Sequence, residues 1–105
     1  MERGQAMNIP AKVKIQGTSY AVVFKDRIDD KEENVAYIDH QRQEISIKNG
    51  MAKEYTERCL WHEIVHAITE MGQVDWGEKD EQYTEIMANG VHQVLRDNDL
   101  THSRK

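Results

Sequence analysis

Two histidines and a glutamate stand close together in the stretch LWHEIVHAIT, at His62, Glu63 and His66. On a helix each residue turns about 100°, so His62 and His66 fall about 40° apart on one face, one turn above the other. Two imidazole nitrogens placed this way can reach a single metal ion. Glu63 stands about 100° round from His62, too far for a comfortable third ligand but within reach of a water on the metal. This is the mechanical sense of H-E-x-x-H: two ligands with a general base beside them. A chain of this His and Glu content carries the bare motif by chance roughly twice in a hundred. The five positions alone do not define an enzyme, and an ordinary helix with two surface histidines is the competing reading.

Catalytic zinc keeps three protein ligands and an open position for water. The candidates for the third are His40, His92, His102 and the acids of the segment after Lys79. His102 lies in the polar tail and is a poor choice. Glu81, Glu85, Asn89 and His92 share one face of a helix, and spacing does not choose among them.

The elements that must position these residues are legible from periodicity. KVKIQGTSYAVVF (Lys12–Phe24) is rich in β-branched and aromatic residues and broken at Gly17, which predicts one bent strand or two joined by a tight turn. The run KDRIDDKEEN reads as a solvated loop. Val35–Ile38 and Glu44–Lys48 read as strands with a hairpin connection at Asp39–Gln43, closed off by Asn49-Gly50. The period then changes. Leu60, Ile64, Ala67, Ile68 and Met71 recur at helical spacing, which predicts a helix over Met51–Met71 ending at Gly72. Its apolar stripe lies opposite the histidines. A second helix follows a loop, with Asp80 as N-cap, an end near Asp97, and Tyr83, Met87, Val91 and Val94 facing inward. Gly90 weakens that helix unless another backbone approaches it closely. Residues 1–10 and 98–105 read as flexible ends of one domain. The fold class is α+β: a small antiparallel sheet of three or four strands, then two helices.

HEIVH, followed nineteen residues later by EIMAN (Glu85–Asn89), resembles the minimal gluzincins, and most closely the ImmA/IrrE-type metallopeptidases of bacteria and their mobile elements. In that group a helix bearing H-E-x-x-H is followed by one bearing E-x-x-A-N. The similarity runs from about Val35 to Leu95 and implies a zincin-like fold. It selects Glu85 as third zinc ligand over Glu81 and His92, and gives Asn89 a supporting role toward a ligand histidine. It also implies that substrate adds to a sheet edge beside the active helix, with Glu44, Ile45, Ser46, Ile47 and Lys48 as the candidate edge. The family's phenylalanine-alanine stretch after the asparagine is replaced by GVHQV, and no helix-turn-helix segment is present.

The expected chemistry is zinc-assisted amide hydrolysis with one zinc per chain. Glu63 would act as general base and then proton donor to the leaving amine. A donor to the oxyanion is also expected, worth about 3–4 kcal/mol, with Tyr55, Arg58, Tyr83 and His92 as candidates. Cys59, one turn before His62, falls on the ligand side but reads first as a small buried residue. Trp61 and Trp76 read as packing or cleft-wall residues, and His40 as an exposed loop histidine. With 105 residues, a net charge of -5 and a pI near 5.5, the chain has no basic surface for nucleic acid and no apolar run that could cross a membrane. A single cysteine gives no disulfide framework, and the reading is a cytoplasmic protein. The resemblance implies a protein or peptide substrate as partner, such as a phage or mobile-element repressor. The alternative is a zinc-stabilised module, an antirepressor or host-factor inhibitor, that docks without cleaving.

Overall fold

The computed structural model describes residues 9–28 and 34–98. The expected flexible segments at residues 1–8 and 99–105, the centre of the charged loop and His102 lie outside these. Four strands, β1 (Lys12–Ile15), β2 (Thr18–Lys25), β3 (Ala36–Asp39) and β4 (Glu44–Lys48), precede α1 (Lys53–Met71) and α2 (Asp80–Asp97). The fold is α+β, as the order of patterns requires. Among the described residues no helix is long and apolar enough to cross a membrane.

Gly17 separates two strands rather than bending one. Gln16 and Gly17 both take positive φ (49° and 88°), the geometry of a tight two-residue hairpin between β1 and β2. At the β3–β4 connection the Asp39 carboxylate accepts hydrogen bonds from the backbone N–H groups of Gln41 and Arg42, at 3.0 and 3.1 Å.

The sheet departs from expectation in its pairing. Its order is β1-β2-β4-β3, and β2 runs parallel to β4 while the other pairs are antiparallel, so the sheet is mixed. β4 is thereby an internal strand, hydrogen-bonded on both sides. Glu44–Lys48 cannot be the substrate edge; the edge on that side is β3. The burial of β4 fits a central strand, since Ile45, Ser46 and Ile47 are all buried in succession. Alternation within a strand says which face is apolar but not which strands are neighbours.

Ile45, Ile47, Val22 and Ile38 form one side of the core, and Leu60, Ile64 and Ala67 of α1 form the other. Ile68, expected in that stripe, is 41% exposed. α1 ends at Gly72, but the left-handed residue is Gln73 (φ 61°), after which Val74 N–H returns to Thr69 O at 2.8 Å.

α1 is also covered on its second flank, by α2. There the orientation of α2 reverses the expected one. Tyr83, Met87 and Val94 are exposed, and the buried residues are Thr84, Ala88 and His92. Nor is Asp80 the N-cap; it is the first residue of α2, entered from a short 3-10 turn at Gly77–Lys79. The interface is fastened by a buried hydrogen bond from His92 Nε2 to Glu57 Oε1 at 2.8 Å. Glu57 is 0% and His92 1% exposed, while Glu57 Oε2 and Thr84 Oγ1 have no hydrogen-bond partner among the described residues.

A buried pair broken on one side costs more than one replaced on both. His92→Ala should lose about 3–5 kcal/mol in chemical denaturation. The double change Glu57→Leu and His92→Leu should recover most of that loss.

Candidate metal centre

Helix α1 carries His62, Glu63, His66 and, one turn further, Glu70 along the flank that borders the cleft beside β3. Contacts step in opposite directions along the two helices, from Glu57–His92 through His62–Glu85 to His66–Glu81, so α1 and α2 are antiparallel. This register lays the acidic first turns of α2 over the two histidines.

Glu81 bridges them. Its Oε1 lies 2.9 Å from His62 Nε2 and its Oε2 3.0 Å from His66 Nε2. The imidazole rings meet edge to face, with centroids 4.7 Å apart. Glu85 instead meets the other nitrogen of His62, with Oε1 2.7 Å from Nδ1. Asp80 Oδ2 stands 3.6 Å from His66 Nδ1, a buried nitrogen with no hydrogen bond. Each histidine thus has a carboxylate behind it at Nδ1 and shares Glu81 in front at Nε2.

The chemistry of this donor set fits a cation. A neutral imidazole has one N–H. If His62 donates Nδ1–H to Glu85, its Nε2 presents a lone pair to an oxygen of Glu81, and the two repel unless a second ring proton or a metal ion lies between. The ligand atoms of His62, His66 and Glu81 all fall within 4.8 Å of one another, so the three can hold one metal ion. Carboxylates at Nδ1 are the usual outer partners of ligating histidines, fixing tautomer and ring orientation.

The resemblance favours Glu85 as the third ligand, whereas the geometry brings Glu81 to both Nε2 atoms. Asn89 likewise reaches Glu85, through Nδ2 to Oε2 at 3.4 Å, rather than a ligand histidine. Glu81 and Glu85 are one turn apart on the same face, which is why spacing could not separate them. The position of Asp80 in the sequence suggests a helix cap, and nothing in its own spacing marks it as a neighbour of His66.

The site opens into a cleft of about 720 Å³. One wall is α1 with α2, and the other is β3 with Val35 and His40. Glu63 lines the cleft but is only 7% exposed, and among the described residues nothing hydrogen-bonds its carboxylate. Burial raises its pKa above the usual carboxylate range, opposed by the charge of His62 and His66 and reinforced by Glu81 and Glu70. Of the oxyanion candidates, Tyr55 and Arg58 line the cleft. Tyr83 stacks edge-on against Trp76 at 5.4 Å, and His92 is buried with Glu57. Trp61 packs against the core.

His40 is more than a loop histidine. Its Nδ1 lies 2.8 Å from the hydroxyl of the buried Tyr20, and its Nε2 pairs with Glu70. A neutral ring satisfies both, accepting from Tyr20 and donating to Glu70. The chain Tyr20–His40–Glu70 ties the end of β3 to α1. One cue was available: Glu70 lies four residues after His66, on the same face.

Comparison with protein-family models, with curated proteins and with solved structures gives no match to this chain. Fold and site together define an α+β domain with a four-stranded mixed sheet and a His62–His66–Glu81 group able to hold a metal ion.

Metal titration of the purified chain should show one site per chain, lost in His62→Ala, His66→Ala and Glu81→Ala. Glu85→Ala should keep the metal with affinity lowered about 10–100-fold. The reverse pattern would make Glu85 the ligand. Cys59 is buried beside Tyr55, and burial pushes its thiol up to about 11. The protonated thiol predominates at neutral pH, so its alkylation should be roughly a few hundred-fold slower than that of a free thiol of pKa about 8.5. The rate should climb only as pH rises toward 11.

Proposed function

We propose that this protein is a zinc-dependent metallo-endopeptidase that hydrolyses a peptide bond in a protein partner. The observation that carries the reading is the placing of Glu63. A buried carboxylate without a fixed partner borders the convergent His62, His66 and Glu81, in a cleft bounded by a sheet edge. A site needed only for stability has no use for a base there.

The histidines and Glu81 would hold the ion, with Glu85 and Asp80 orienting the rings. When bound, zinc supplies Lewis acidity, which polarises a carbonyl and makes water a nucleophile near neutral pH. Glu63 takes a proton from the attacking water and delivers it to the departing amine. Its raised pKa suits that exchange, because a weakly acidic carboxyl group gains and loses a proton more evenly than a strong acid. The substrate backbone lies along β3 as an added strand, its carbonyls and amides pairing with the open edge. Arg58, with its guanidinium 5.7 Å from the centroid of the Tyr55 ring, is the cationic side chain of the cleft and faces developing negative charge. The resemblance to ImmA/IrrE-type enzymes suggests a cytoplasmic regulatory protein, such as a repressor, as the substrate class.

Glu63→Gln tests the reading. It should retain the metal and lose at least about a thousandfold in cleavage of a denatured protein substrate, measured by mass spectrometry of the products. Undiminished biological potency of Glu63→Gln would favour the docking module instead.

A further inference from the structure

The outward face of α2 carries an apolar stripe through its middle turns, edged by Gln82 and Gln93. Ile86 is 58% exposed, Met87 49%, Val94 41% and Tyr83 38%. Ile86, Met87, Gly90, Val91, Val94 and Leu95, with Gln93 as the one polar member, line a shallow groove of about 420 Å³. At its centre is Gly90, and a Cβ added there would meet nothing within 4 Å. No part of the described fold uses the close approach that this glycine permits.

We propose that this face pairs with the same face of a second copy of the chain, the two α2 helices running antiparallel about a twofold axis near Ala88. The charges at the ends choose the partner and the direction. On a helical wheel Lys79 and Asp97 both project within about 40° of Gly90, on the apolar side. They flank the stripe, Lys79 just before the first residue of α2 and Asp97 at the last. Both are exposed. Antiparallel pairing sets each Lys79 against the Asp97 of the other copy, twice by symmetry. Parallel pairing would set like against like. The same register places Ile86, the most exposed side chain of the stripe, over Gly90 of the other copy, and Tyr83 over Val94. Antiparallel helices also bring each N-terminus to the other's C-terminus, which the macrodipoles favour. Arg96 and Gln93 hydrogen-bond the Asp97 carboxylate at 3.1 Å each and hold it in position. Glu81 and Glu85 turn toward α1, so the cleft stays open in the pair.

An 18-residue helix is about 27 Å long. Two such faces bury less than a standard interface, so the dimer dissociates at a Kd on the order of ten micromolar. Sedimentation velocity of the wild-type chain across that range should show a monomer–dimer equilibrium. Ile86→Glu should abolish it while circular dichroism and metal content stay unchanged. Lys79→Asp and Asp97→Lys should each weaken it about tenfold, and the two together should restore it. A wild type monomeric up to ten times the expected Kd overturns the proposal. So does a dimer indifferent to Ile86→Glu, or a double reversal as weak as the single ones.

Discussion

The register between α1 and α2 governs everything that happens at the cleft. It is fixed by the buried hydrogen bond between His92 and Glu57, thirty-five positions apart in the chain. Antiparallel helices can slide past one another by a turn, about 5.4 Å, with modest change in apolar contact. Such a slip would carry one of Glu81 and Glu85 into the place of the other and leave one histidine without a glutamate. A polar pair between two fully buried side chains resists it, because any other register leaves both groups unpartnered. The core side of α1 supplies burial; this pair supplies alignment.

That alignment explains how one face of α2 serves both histidines. With His62 abreast of Glu85 and His66 abreast of Glu81, a single acidic turn provides front and rear partners alike. Asp80 completes the set at His66 Nδ1. The short 3-10 turn at Gly77–Lys79 matters here, since it lets α2 begin at Asp80 and so aims its first turn at the site.

The sequence revealed the helix of the histidines and the side of it that carries chemistry, because periodicity reports faces directly. It also exposed the shared face of Glu81 and Glu85. What periodicity cannot supply is which of two residues on one face lies nearer, as that depends on a register set elsewhere. The order of strands was hidden for a related reason. β4 alternates no differently from an edge strand, and its pairing with β2 is a long-range choice. The stripe of α2 misled in the other direction. Tyr83, Met87 and Val94 look like a core face, yet α1 already buries its apolar stripe against the sheet. It therefore offers α2 a polar flank, which receives Thr84, Ala88 and His92.

The tie from Tyr20 through His40 to Glu70 joins the end of β3 to α1. The edge strand and the residues His62, Glu63 and His66 thus belong to one body, sheet and helix together. α2 lies with α1 on the wall of the cleft that faces β3, and it brings the carboxylates of Glu81 and Glu85. A displacement of α2 from α1 would carry Glu81 off both Nε2 atoms at once, so the grouping of His62, His66 and Glu81 is only as firm as the packing of the two helices.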